Sequence, residues 1–140
     1  MPNHQVAALA LFFAVAFPIG SNAQEITAEL PQACRAIMPE ASSKDIAMPK
    51  MDPGGMSKTG MAFMKAMEKM HMDMMPGMHA KEPDVAFACS MIPHHQSAIE
   101  MAQAFLDDGK DPELKTLAEK IIKDQKEEIS QLRARLDKKS

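Results

Sequence analysis

The segment from Pro112 to about Lys138 repeats its apolar residues with the period of an α-helix, and no other feature limits the possible folds so strongly. Asp111 is suited to cap this helix, and proline is favoured at its first position. At about 100° per residue, one face collects the following side chains: Leu114, Leu117, Ala118, Ile121, Ile122, Ile129, Leu132 and Leu136. Gln125 and Glu128 interrupt that face. Either it frays towards solvent near the C-terminus, or both residues face a polar site inside a bundle.

Two further long helices are predicted upstream. The first runs from Thr59 to Met75, where the pair Pro76-Gly77 should stop it. The second begins after Asp84 as N-cap, runs to about Asp108 and ends at Gly109. Pro93 falls inside the second helix and predicts a kink there.

A shorter helical stretch over Glu25 to Met38, broken by Pro31 and Pro39, precedes a linker rich in proline and glycine over residues 40–58. No segment alternates with the period of a β-strand. We therefore predict an all-α helical bundle of three long helices plus a shorter N-terminal helix. Residues 24–56 would hold the short helix and linker, and residues 57–140 the bundle domain.

The N-terminal region predicts export. An unbroken apolar run over Val6 to Phe17 is too short to span a bilayer, and small residues at Ser21 and Ala23 match a cleavage site. We expect a signal peptide over residues 1–23, a mature chain that starts at Gln24, and a periplasmic or secreted location without a membrane anchor. A net charge of −3 gives no indication of a nucleic-acid surface.

The two cysteines allow two interpretations. Cys34 and Cys89 can form one disulfide, or Cys89 can be a metal ligand. We favour the disulfide because an exported protein meets an oxidising environment.

Methionine is the compositional outlier, with 15 residues in 140. Met specifies a core poorly and is prone to oxidation, so this number indicates a use for the thioether. In the first long helix, one stripe contains Met64, Met67, Met70, His71 and Met74. Met72 and Met75 widen the stripe beyond a core face, and Met78 and His79 follow it. The alternative is that these methionines are core residues, as most such stripes are.

A second group surrounds the two adjacent histidines. Met91 precedes His94 by three positions and His95 by four, and Met101 lies seven after His94, so these side chains could converge on one ion. One histidine can bind metal while the other donates to Gln125 or Glu128. The alternative is a pair of hydrogen-bonded structural histidines.

Thioethers are soft neutral ligands that select Cu(I), with Ag(I) as its mimic, whereas Zn(II) prefers Cys, His and carboxylate. Since thiolates are lost to disulfides outside the cytoplasm, methionine is the natural soft ligand there. Met48, Met51 and Met56 lie in the predicted linker, where the interpretation as plain linker is favoured over a metal-binding arm.

The stretch from Asp84 to Ala102, with its core Met91-Ile-Pro-His94-His95-Gln96, closely resembles the signature of the domain-of-unknown-function 305 family. That family includes CopM-like periplasmic copper-binding proteins. Gln125, Glu128 and the methionine-rich helix around His71 are also similar to the family pattern. The resemblance covers roughly residues 57–138.

The resemblance implies a ferritin-like helical bundle, export, and copper binding linked to copper tolerance. Its matching ligand candidates here are His71, Met74, Met75, Met91, His94, His95 and Met101. The cysteines and the Ala134-Arg135 pair depart from that pattern.

We expect a copper buffer or chaperone rather than an enzyme, with a periplasmic copper-efflux or copper-oxidising protein as its partner. A di-iron oxidase needs two Glu-x-x-His motifs, and only Glu68 to His71 has that spacing. The absence of predicted strands argues against a blue-copper carrier, and no hydrolase nucleophile motif occurs. The main alternative is a helical partner-binding module that uses a Met-rich groove and has no tight metal site.

Overall fold

The computed structural model describes residues 29–37 and 54–138, which form one short and three long helices. The helices are α1 (Gln32–Arg35), α2 (Lys58–His79), α3 (Pro83–Asp108) and α4 (Pro112–Asp137). These residues contain no strand, which confirms the predicted all-α bundle. The predicted signal peptide and most of the linker, with Met48 and Met51, lie outside the described residues. None of the described helices combines the length and apolarity needed to cross a membrane.

The middle position in the bundle belongs to α3, because α2 and α4 both pack along it. At the start of α2, Thr59 Oγ1 donates a hydrogen bond to Asp108 Oδ2 at 3.3 Å. Near the end of α2, Gly77 lies directly against the backbone of Ala86 and Ser90. These contacts show that α2 and α3 are antiparallel.

Several helix boundaries follow from the sequence. Asp111 Oδ1 accepts hydrogen bonds from two backbone N–H groups at the start of α4, as expected of an N-cap. Gly109 follows the last residue of α3, as predicted. Pro93 lies inside α3.

The predicted stop of the first long helix is wrong. α2 continues through Pro76 and Gly77 to His79, and both residues are buried. Pro76 removes one backbone hydrogen bond from the helix. Gly77 has no side chain, so this turn of α2 packs closely on α3. Tertiary packing therefore overrides the local helix-breaking tendency.

The predicted N-cap of the next helix is also wrong. α3 begins at Pro83 with Glu82 as N-cap, and Asp84 lies in the first turn. Proline suits the first position because its missing N–H would have no helical partner there. Asp84 is still favourable in this turn, because a carboxylate near a helix N-terminus complements the helix dipole.

A disulfide joins Cys34 to Cys89, so the structure contains the favoured one of the two alternatives for these cysteines. It fastens α1 to α3, and both cysteines are fully buried. The surrounding core is formed mainly by α3 and α4 and contains Ala88, Ile92, Ile99, Ile129 and Leu136.

The apolar face of α4 divides into two parts. Ile129 and Leu136 are buried, so the face does not fray towards the C-terminus. At the other end, Leu114 and Leu117 are each 50% exposed and border a groove instead of filling the core.

Candidate metal site

The antiparallel packing of α2 and α3 brings the two methionine-containing motifs to the same height in the bundle. The contacts of Thr59 and Gly77 with α3 set a register in which Met74 is level with Met91, and His71 is level with His94. We refer to the residues of this layer as the methionine–histidine cluster: Met70, His71, Met74, Met91 and His94.

Helical periodicity places much of this cluster at the edge where α2 meets α3. Met74 and Met70 lie about one and two turns before Gly77, which contacts α3. His94 lies one turn after Ser90, which contacts Gly77. Thioethers from α2 and an imidazole from α3 therefore border the same helix–helix seam.

His95 differs from its neighbour in both burial and partners. Its side chain is only 10% exposed, and Nε2 lies 2.6 Å from Glu128 Oε2 on α4. His95 Nδ1 is buried and has no hydrogen-bond partner among the described residues. His94 is exposed, and its ring centroid lies 5.9 Å from that of His95. Of the two residues predicted to accept a hydrogen bond from a histidine, Glu128 contacts His95. Gln125 is half-buried.

His95 and Glu128 line a cavity of about 480 Å³ between α3 and α4, which we call the His95 cavity. Its wall is completed by Phe87, Met91, Gln131, Leu132 and Arg135. Met91 thus lies both in the methionine–histidine cluster and in the cavity that contains His95. A thioether and an imidazole with a free ring nitrogen are brought together one helical turn apart.

The predicted convergence of Met91 and Met101 is wrong. Ten residues of helix separate them by about 15 Å along the axis of α3. Met101 lines a different groove of about 330 Å³, which we call the apolar groove. The full lining is Phe63, Ala98, Met101, Ala102, Phe105, Leu114, Leu117, Ala118 and Ile121. Residues seven apart, such as His94 and Met101, lie on the same side of a helix but are separated by about 10 Å along its axis.

The remaining predicted ligands lie along α2. Met67 is 43% exposed and Met78 is 64% exposed. Met75 is half-buried, and His79 is exposed at the last position of the helix. These residues do not line either cavity.

Within the described ranges, no group of three or more His, Cys, Asp or Glu residues is placed to hold a metal ion. The two cysteines are joined to each other and provide no thiolate.

Four cavity-lining residues were absent from the sequence-based site: Phe87, Gln131, Leu132 and Arg135. Phe87 is 61% exposed, and Gln131 and Arg135 complete the wall opposite it. Their spacing from Glu128 at three and seven positions on α4 was the signal that could have identified the two polar residues.

The family model described as "Domain of unknown function (DUF305)" matches residues 14–136. An uncharacterized protein of Acanthamoeba polyphaga mimivirus is 39% identical over 56 residues, which cover 40% of this chain and 37% of that protein. The match thus spans little more than a third of the length of this relative.

Proposed function

The chain belongs to the DUF305 family, and from this premise we propose that it is an exported copper(I)-binding protein that acts as a periplasmic copper buffer or chaperone. The observation that carries the proposal is the state of His95. Its ring is buried, Glu128 contacts Nε2, and Nδ1 has no hydrogen-bond partner in the described part of the chain. Met91 lines the same cavity. A carboxylate on the far nitrogen is the usual support of a metal-binding histidine.

The other donors have the chemistry that Cu(I) requires. Met91 lies one turn before His95, and Met74 on α2 is level with Met91. The thioether is a soft neutral ligand that favours Cu(I) over Zn(II) or Mg(II), and imidazole also suits copper. When bound, Cu(I) would be held by Met91, His95 Nδ1 and thioethers of the methionine–histidine cluster, with His94 as a further donor.

The exposed donors favour a role in transfer. His94, Met67 and Met78 are accessible from solvent, so an ion could reach the buried nitrogen by exchange through surface ligands. A partner such as a periplasmic copper-efflux or copper-oxidising protein could accept the ion by the same exchange in reverse. This arrangement suits a carrier better than a permanent store.

The first test is an anaerobic Cu(I) titration of the purified protein against a competing chromophoric chelator, with Zn(II) titrated in parallel. We expect strong competition for Cu(I) and weak binding of Zn(II). If the protein fails to compete for Cu(I), the proposal is wrong, and the alternative of a partner-binding module with a Met-rich groove takes its place.

Variants at the histidines then locate the site. Replacing His94 and His95 together should weaken Cu(I) binding by at least about 100-fold, and Glu128→Gln alone by about tenfold, because the carboxylate only orients the ring. The matched control replaces Met48 and Met51 by leucine and should change the affinity far less. Equal effects of the two double replacements would contradict a main site at the histidines.

A further inference from the structure

The apolar groove is an open surface at the end of the bundle where α3 meets α4. All nine of its lining residues are apolar, and they come from α2, α3 and α4 together. Leu114 and Leu117 on its rim are half-exposed. Covering these side chains would be favourable, because it removes apolar surface from water.

An exposed aromatic side chain lies on the same side of the molecule at the opposite end. Phe87 is 61% exposed and lines the His95 cavity beside Arg135. The cavity residues Phe87 and Met91 and the groove residues Ala98 and Phe105 follow one another on α3 at helical spacing. One stripe of α3 therefore has a protruding ring at one end and a groove at the other.

On the neighbouring edge of α4, four of the five charges are complementary to their own reversed order. At helical spacing the edge positions are Glu113, Leu117, Lys120, Asp124, Glu128, Gln131 and Arg135. Reversal about Asp124 sets Glu113 opposite Arg135 and Lys120 opposite Glu128. Asp124 faces its own copy on the axis, where its ion pair with Lys120 of the same chain offsets the like charges. The Glu128 side chain is 51% exposed although it contacts His95, so it remains open to a second partner.

We infer that the partner of this surface is a second copy of the same chain, in a two-fold symmetric dimer with the two α4 helices antiparallel. In a symmetric dimer each contact occurs twice, so the surface needs to be complementary only to itself. The reversal that pairs Glu113 with Arg135 also brings Phe87 of the second copy level with Leu114, at the rim of the apolar groove. The charged pairs and the contact of Phe87 with the apolar groove are therefore formed in the same alignment of the two α4 helices.

The inference is independent of copper, and it is tested on the metal-free protein by sedimentation equilibrium. We expect a dimer for the unaltered protein and a shift towards monomer for Phe87→Ala. Met61→Ala is the matched control, because Met61 is also exposed (43%) but lies two residues from Phe63 and so on the opposite side of α2. A monomeric unaltered protein at about 100 μM, well above the Kd of a stable dimer, would overturn the inference.

A charge exchange tests the register. Glu113→Arg should raise the dimer dissociation constant about tenfold, because two like-charged pairs replace two attractive ones. Adding Arg135→Glu to the same chain should restore dimerisation, because each new arginine then faces a new glutamate. A double variant that dissociates more than the single variant would contradict this register.

A cysteine placed on the two-fold axis gives a direct readout. Asp124→Cys should form an intermolecular disulfide under mild oxidation, since both native cysteines are already paired. Lys126→Cys, about 200° further round α4, is the matched control and should not cross-link. Equal cross-linking of the two variants would show that α4 does not pair along this edge.

Discussion

The two long seams of the bundle are built from different kinds of side chain. Between α3 and α4 the largest buried aliphatic residues are branched, among them Ile92, Ile99 and Ile129. The buried residues that α2 contributes are small or lack a flexible side chain, namely Ala66, Pro76 and Gly77. Methionines line the rest of the α2 side, and most of them are half-buried or exposed.

This difference suggests a division of labour around α3. Branched aliphatic side chains fix a packing arrangement, whereas methionine adapts its shape and leaves its sulfur available. The α3–α4 seam would then supply stability and hold His95 through Glu128. The α2–α3 seam would supply adaptable donors. A change in the first seam should reduce the free energy of unfolding, and a change in the second should reduce metal affinity.

The largest expected effect on stability is at the disulfide. Replacing Cys34 and Cys89 by alanine should lower the free energy of unfolding by about 4 kcal/mol, because the bond closes a loop of 55 residues in the unfolded chain. Thermal or urea unfolding would measure the loss. The Cu(I) stoichiometry should not change, since neither sulfur is proposed as a ligand. A lost equivalent of Cu(I) in the folded variant would show that Cys89 takes part in binding.

A smaller loss is expected in the core between α3 and α4. Ile129 is 1% exposed, and Ile129→Ala should destabilise the protein by about 3 kcal/mol because a cavity replaces the removed methyl groups. Ser130→Ala, at the next and exposed position, is the matched control and should change stability by less than about 0.5 kcal/mol. The Cu(I) affinity of the folded Ile129 variant should stay within a few fold of the original value. A large loss would mean that the two seams are not separable.

The fold was readable from the sequence where local rules and packing agree. The apolar period, the Asp111 cap and the Gly109 end all predicted α3 and α4 well. The rules failed at Pro76-Gly77, where a helix-breaking pair is buried against α3. That contact joins residues on different helices, and no local pattern encodes it.

The candidate site was predictable in its residue types and less so in its layout. Helical spacing placed Met91 beside His95, and the expectation that Glu128 or Gln125 would hold a histidine is met by Glu128. The alignment of Met74 with Met91 depends on the register between helices. Sequence spacing within one helix does not contain that information. Met101 was misplaced for a different reason, because its ten-residue separation from Met91 on α3 amounts to about 15 Å of helical rise.

The smallest of these stability effects, and the sharpest test of the comparison, is at Gly77. A Cβ atom added there would lie 2.7 Å from the backbone nitrogen of Ser90 and 2.9 Å from the carbonyl oxygen of Ala86, so α2 and α3 would have to separate. Gly77→Ala should cost about 2 kcal/mol of stability, as overpacking does. It should also weaken Cu(I) binding about tenfold, because the proposed donors of α2 and α3 would move apart.

Gly60→Ala is the matched control, since it makes the same change in the same helix. Its added Cβ would lie 3.3 Å from the Ser57 hydroxyl, a side chain that can adjust. Its stability should change by less than about 1 kcal/mol, and its Cu(I) affinity should be unaltered. If Gly77→Ala instead lost stability but kept full Cu(I) affinity, close contact of α2 with α3 would not be needed for binding. The donors would then have to come from α3 and the His95 cavity alone.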